Sequence, residues 1–258
     1  MAERTRIYIA SDLHLGMKPR KESLERERSF VMWLEQIRYD ARELWLLGDI
    51  FDYWFEYRKV VPRGFTRFLG KLATLSDEGV EIHIFTGNHD VWIFDYLPEE
   101  IGLTVHHEPV TRTWNNKRFL LGHGDGLLHS DRGYRFMQGI FRNRFLQWLY
   151  ARIHPNGSIA FAQWWSKKSR EKKGAYVAFL GEEKEHQVMF AKRILEKDPG
   201  INYFVFGHRH IAYQIRLSET SQVVCIGDWI TNFTYAVFDG EELYLKRYYE
   251  DRGEIIKI

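Results

Sequence analysis

The chain has 258 residues, 45% of them hydrophobic and 28% charged, with a formal net charge of +2. That length suits one large domain, or one of ordinary size with an insertion, and 16% aromatic residues exclude a mainly disordered state. A single cysteine, Cys225, excludes an intrachain disulfide framework and any cysteine-built zinc or iron–sulfur site.

In chain order, a predicted apolar strand at residues 7–10 runs into the turn SDLHLG. Phe30, Trp33, Leu34 and Ile37 then repeat at helical spacing over about 23–38. ELWLLGD reads as a strand buried on both faces. Phe65, Phe68, Leu69 and Leu72 mark a second helix, begun near Pro62. The strand VEIHIF delivers TGNHD, and RFLLGHGD repeats that arrangement. Helices are expected at about 131–150, 159–172 and 182–197. INYFVF leads to GHRH and SQVVCIGDW to another polar turn, and the end reads as a hairpin around Asp239-Gly240. Strand–helix alternation followed by a strand-rich end predicts a layered α/β sandwich. The longest apolar runs are far short of the roughly 20 residues that span a bilayer, and the N-terminus has no signal-peptide core, so a cytoplasmic chain is expected.

The net charge hides a split. Residues 132–173 carry ten Lys/Arg against the single acid Glu171, which leaves +9 there and −7 on the rest. Nine aromatics fall in the same window, Phe141, Phe145, Trp148, Trp164 and Trp165 among them. Basic and aromatic residues together suit three structures: a plain helical subdomain, a nucleic-acid groove, or a lipid-facing cap.

Five strand-like segments end in metal-binding residue types: Asp12 and His14; Asp49; Asn88, His89 and Asp90; His123 and Asp125; His208 and His210. Ligands at the carboxyl ends of neighbouring strands converge on one edge of a sheet. Asp12-x-His14 and His208-x-His210 each place both side chains on one face of an extended segment. A lone histidine after a strand is usually a satisfied or surface residue; an ordered set of this size is not. With Asp49 bridging, Asp12, His14, Asp49 and His210 would hold one metal, and Asp49, Asn88, His123 and His208 the other. Nitrogen and oxygen donors without sulfur favour Mn, Fe, Zn or Co. Glycines 48, 87, 122 and 207 precede the polar residues, where a tight backbone turn is expected.

The series SDLHLG, GDIFD, GNHD, GHGD and GHRH, spanning Asp12 to His210, resembles the calcineurin-like metallophosphoesterase superfamily. The resemblance implies a four-layered α/β/β/α sandwich forming a single domain over 1–258, with a helical lid insertion at 127–198. It also implies a dinuclear centre whose activated water attacks phosphorus in line. Asp49 and Asn88 would serve the reacting phosphoryl group, and His89 would stand near the leaving oxygen as proton donor or clamp. Asp90 is expected to fix a histidine tautomer, with Asp52 and Asp125 second to the ligands or structural. His83 is expected to pack, His106, His107 and His186 carry no signal, Cys225 is a core thiol, and Asp228 has no assigned role.

SDLHLG, LLGDIFDYWF, HGD with Asp131 eight residues after His123, and an insertion of this size are similar to the UDP-2,3-diacylglucosamine diphosphatases of lipid A synthesis. That family implies hydrolysis of UDP-2,3-diacylglucosamine to UMP and 2,3-diacylglucosamine 1-phosphate, with two Mn2+ (Fe or Zn also accepted). It implies peripheral attachment to the cytoplasmic face of the inner membrane. It selects the lipid-facing cap, so an anionic membrane surface is the expected partner, with neither nucleic acid nor an obligate protein partner. Substrate contacts carried over are Asn88, His89, Asp131, His208 and, in the lid, Ser169 with Lys172 or Lys173. His89 stands where the best-known branch has arginine, and GHRH replaces its G-H-T-H. WFEYRKVVPRGF and QWLYARIHPNG resemble a second, Bacteroidetes-type branch. The competing expectations are another metal-dependent phosphodiesterase or phosphatase acting on a nucleotide, phospholipid or nucleic acid, and a non-catalytic scaffold.

Overall fold

The computed structural model describes residues 4–128, 132–173 and 178–249, without the side chains of 132–135, 167 and 169–173. Asp131 and the side chains of Ser169, Lys172 and Lys173, expected to contact substrate, lie outside the described residues.

Two sheets form the body. In the first, β1 (Arg6–Ala10), β2 (Ala41–Leu46) and β3 (Glu81–Phe85) run parallel at the centre. β4 (Thr104–His106) extends it on one side; β10 (Thr234–Phe238) and β11 (Leu243–Arg247), the expected hairpin, extend it on the other. The second sheet has the order β5 (Val110–Trp114), β6 (Lys117–Gly122), β7 (Tyr203–Phe206), β9 (Gln222–Ile226), β8 (Ala212–Arg216). β4, β5 and β8 were not expected. They are short or half-exposed edge strands without a clean apolar alternation.

Side-chain alternation along the strands builds three apolar layers. Ile7, Ile9, Trp45 and Leu47 of the first sheet meet Phe119, Leu121, Val205 and Val224 of the second. The opposite face of the first sheet, with Ala10, Leu44 and Ile84, packs on α1 (Arg20–Ile37), α2 (Thr66–Asp77) and α3 (Tyr96–Ile101) through Phe30, Trp33, Phe68 and Leu97. The outer face of the second sheet packs Leu120, Phe204, Phe206 and Cys225 on Val188 and Ala191 of α7 (His186–Leu195). The layers are therefore helix, sheet, sheet, helix, as expected. One correction concerns α7, which was expected within the lid at 127–198: its apolar stripe is spent on the second sheet, so it belongs to the body.

Helix boundaries differ where side chains found other partners. Helix α1 begins before Ser23, whose hydroxyl accepts the Gly16 N–H at 2.7 Å instead of capping a helix. The helix expected over 131–150 is divided into α4 (Arg132–Arg142) and α5 (Arg144–Tyr150), because Asn143 caps α5 by accepting from the N–H of Phe145 and Leu146. Helix α6 (Pro155–Lys173) starts at its proline, which needs no N–H donor there. These three helices stand over one end of the body, with Tyr150 packed between Phe55 and Trp92. Among the described residues no helix is long and apolar enough to cross a membrane.

Candidate metal centre

Strands β1, β2, β3, β6 and β7 all end at one edge of the sandwich, and their terminal loops carry the expected ligands. The loops after β1 and β2 are laced by Asp12 N–H to Gly48 O (3.1 Å) and His14 N–H to Asp49 O (2.9 Å). Asp12, His14, Asp49, His208 and His210 all take left-handed backbone, with φ between 44° and 68°. That conformation costs about 1–2 kcal/mol for each non-glycine residue, so the surrounding hydrogen bonds must hold it. The reading of the glycines is corrected in part. Gly48 does turn at φ +91°, but Gly87 and Gly207 serve close approach. A Cβ on Gly87 would collide with the Asp49 carboxylate, and one on Gly207 with the Ser11 hydroxyl and Asp12 carboxylate.

Three overlapping groups of ligand atoms result, each within 4.8 Å: Asp12, His14, His210; His14, Asp49, His89; and Asp49, His123, His208. In each carboxylate one oxygen is used for scaffolding and the other faces the group. Asp12 Oδ2 accepts from Ser11 Oγ (2.5 Å) and the His208 N–H (2.8 Å), while Oδ1 lies 3.6 Å from His210 Nε2 and 3.9 Å from His14 Nε2. Asp49 Oδ1 accepts the His89 N–H at 2.9 Å, and Oδ2 lies 3.6 Å from His14 Nε2 and 3.5 Å from His123 Nε2. Asp49 thus stands between the groups, as a bridging ligand must. The histidines are oriented from behind. His123 Nδ1 donates to Leu47 O at 2.7 Å and His210 Nδ1 to Asp228 Oδ2 at 3.2 Å, leaving each Nε2 for a metal.

The donor set fits divalent metals. Asp12 Oδ1, His14 Nε2 and Asn88 Oδ1 are buried without a hydrogen-bond partner, an arrangement that is costly unless a cation takes them. Burial holds the His14 pKa below its usual value, and burial beside His123 lowers that of His208 to about 3, so both rings are neutral and able to ligate. Burial opposes ionisation of Asp49, yet the charges of His123 and His89 outweigh it and hold this carboxyl well below the usual range. Burial likewise opposes protonation of His123, but Asp49 outweighs it and holds the ring well above its usual value, so a metal taking Nε2 must displace the proton held there against Asp49. The groups are those of a dimetal centre.

Two roles are corrected. Among the described residues Asp90 fixes no histidine: its carboxylate accepts the N–H groups of Gly87, Asp49, Ile50 and Phe51, clamping the loop that carries Asp49. Burial and the Asp49 charge raise its pKa to about 6. Asp228, to which no role was assigned, orients His210 and also accepts from the N–H of Ile230, Thr231 and Asn232. Its position in a strand-end turn was the available signal. Asp52 lies 3.6 Å from His14 Nδ1 and 3.7 Å from His89 Nδ1, behind both rings. Asp125 accepts from Gln138 of α4 at 3.1 Å. His83 is buried against Trp45, as expected.

A cavity of about 560 Å³ opens from this edge into the space beneath α4–α6. Asp52, Asn88 and His89 line its inner end, and Val91, Trp92, Ile140, Phe141, Leu146 and Phe161 its walls. Ser166 of α6 reaches this junction, its hydroxyl 3.3 Å from Asp52 Oδ1 and 3.4 Å from His89 Nδ1. Ser166 lines the cavity among the described side chains, which do not include that of Ser169, the serine expected to contact substrate.

A family model described as calcineurin-like phosphoesterase matches residues 5–212. The chain is 44% identical over 256 residues to the UDP-2,3-diacylglucosamine hydrolase of Porphyromonas gingivalis, covering 94% of this chain and 97% of that one. It is 27% identical to the protein of that name from Haemophilus influenzae, over 88% and 91% of the two chains. The Pseudomonas putida protein of the same name is 26% identical, over 86% and 90%.

Proposed function

Since the chain belongs to the calcineurin-like phosphoesterase family, we propose that it hydrolyses the pyrophosphate of UDP-2,3-diacylglucosamine, releasing UMP and 2,3-diacylglucosamine 1-phosphate. The observation that carries this reading is the apolar cavity joined to the candidate metal centre at Asn88 and His89. A nucleotide or soluble diester needs no such cavity, whereas acyl chains bury well against Trp92, Ile140, Phe141 and Phe161.

Asp12, His14, Asp49 and His210 would hold one metal and Asp49, Asn88, His123 and His208 the other, with manganese the metal proposed. When bound, two such ions would polarise the phosphoryl oxygens and lower the pKa of the attacking water. The chain's own residues do the rest. The Asn88 amide orients the phosphoryl group, and His89, its Nδ1 donating to Asp52 O at 3.1 Å, turns its other nitrogen toward the reacting end. From there it carries a proton to, or a positive charge beside, the leaving phosphate. Asp131, Ser169 and Lys172 or Lys173 are proposed as further contacts to the sugar phosphate.

The lid would also meet the membrane. A single domain with a helical insertion is part of this proposal, and Phe145, Trp148, Leu149, Phe161 and Trp164 are exposed on the helices between residues 132 and 173. Arg152 lies over Trp148 at 4.7 Å and Lys168 over Trp164 at 4.6 Å, an interleaving of rings and cations suited to an anionic lipid surface. This supports peripheral attachment to the cytoplasmic face of the inner membrane.

The test is incubation with Mn2+ and UDP-2,3-diacylglucosamine in 18O-labelled water. The expected result is UMP carrying one labelled oxygen, because attack falls on the α-phosphorus. Turnover of bis(p-nitrophenyl) phosphate with no UMP from the lipid substrate would instead make this a different phosphodiesterase.

A further inference from the structure

Helix α7 does more than complete the outer layer, because its first turn reaches into the candidate metal centre. Gln187 is fully buried. Its Nε2 donates to Gly207 O at 2.7 Å, and its Oε1 accepts from Tyr213 OH at 3.0 Å. The same amide lies against Gly124, where an added Cβ would collide with it. One side chain therefore touches the residue after His123 and the residue before His208. The imidazoles of these two residues approach to 3.3 Å between His208 Nδ1 and His123 Nε2.

A second brace acts on the same loop. Glu185, 1% exposed, accepts from Arg209 Nε at 2.9 Å and from Arg209 Nη2 at 3.0 Å, and also holds the Leu180 N–H at 2.9 Å. Arg209 stands between His208 and His210, both of which keep a left-handed backbone, at φ 68° and 53°. A two-point guanidinium–carboxylate contact restrains rotation as well as distance. It ties the loop to the start of α7 at the residue where GHRH departs from G-H-T-H.

We propose that Gln187 and the Glu185–Arg209 pair are positioning residues that set the separation of His123 and His208, and with it the metal affinity of the Asp49–His123–His208 group. The inference rests on the dimetal reading of the site and adds a control element outside its ligands. Groups that orient metal ligands typically govern 10–100-fold in affinity. A brace for stability alone would lower the melting temperature and leave relative metal affinities unchanged.

The experiment is titration of chelator-stripped, full-length protein with Mn2+, following free metal by electron paramagnetic resonance. Wild-type protein is expected to take up two equivalents. Gln187→Leu, which removes both hydrogen bonds at similar volume, should weaken one equivalent at least about tenfold and leave the other within about twofold. Glu185→Gln, a milder change that keeps an acceptor for Arg209, should weaken the same equivalent by less. Circular dichroism of each metal-free variant reports the fold, and if Gln187→Leu does not fold the comparison rests on Glu185→Gln. Unchanged affinities, or an equal loss at both positions, in folded variants would overturn the positioning role while leaving the two-metal centre intact. A wild type that binds no second equivalent would overturn both.

Discussion

His210 Nδ1 donates to Asp228 Oδ2 at 3.2 Å, so a carboxylate at the end of β9 decides which nitrogen of a histidine after β7 faces the metal centre. Asp228 spends its other oxygen on the N–H groups of Ile230, Thr231 and Asn232. Asp228→Ala should weaken metal binding and turnover by about 10–100-fold, read from metal titration and kcat/KM. Burial opposes ionisation of Asp228, but His210 and the backbone donors outweigh it and hold its pKa below the usual carboxylate value. Its contribution to stability is thus present above that value and lost as the pH falls through the lowered one. An acid melt of metal-free protein should show wild type approaching the Asp228→Ala variant.

Asp49 is the group shared by His14 and His123, at 3.6 and 3.5 Å. Asp49→Asn removes that charge with little change of shape. Hydrolysis should fall by about 100-fold or more, and bound metal per chain should drop below that of wild type. Full activity with full metal content would exclude Asp49 as the bridge.

Gly207→Ala places a Cβ against the Ser11 hydroxyl and the Asp12 carboxylate. The loop must shift, at a cost of about 1–3 kcal/mol, and Asp12 with it. A lower melting temperature should accompany weaker metal uptake. Gly157→Ala on α6, where the added methyl meets no other segment within 4 Å, is the control: it should leave metal uptake unchanged and not lower the melting temperature.

Ala162 lines the cavity beneath the lid. Ala162→Trp should fill part of that space, raising KM for long-chain substrate several-fold more than for a short-chain analogue. Hydrolysis of a small soluble diester should not change. An equal effect on all three substrates would place the acyl chains elsewhere.

Trp148 and Trp164 are each about half exposed, with a cation over each ring. Replacing both by serine removes two amphipathic anchors. Binding to vesicles containing anionic lipid should fall by about tenfold or more, and the wild-type binding should itself weaken with added salt. Vesicle sedimentation at two ionic strengths measures both.

Much of the centre was legible because its residues are polar types in places where polarity is expensive. Asp12, His14, Asp49, His123 and His208 each follow an apolar strand within a few residues, and a buried carboxylate or imidazole there needs a reason. Asp228 was harder to read, since nothing in VVCIGDW names His210 as its partner, 18 residues away. Asp90 was misread for the opposite reason. GNHD suggests a group facing the histidines, whereas its oxygens turn to four backbone N–H groups. The edge strands β4, β5 and β8 were missed because pairing on one side only places little demand on the sequence.

The sequence by itself determined the order of the central strands and the longer helices, the ligand types, and the basic, aromatic character of residues 132–173. These follow from local periodicity and composition, which need no knowledge of the fold. Only the tertiary structure decided which oxygen of Asp12 and of Asp49 remains for a metal, and that α7 belongs to the body and braces the GHRH loop through Gln187 and Glu185. It also decided that the cavity under α4–α6 ends at Asn88 and His89. Each depends on contacts between segments distant along the chain, whose geometry is set by packing rather than by any local pattern. The total of +2 described the whole chain and neither part of it; the fold is what stands the basic lid over one end of the acidic body.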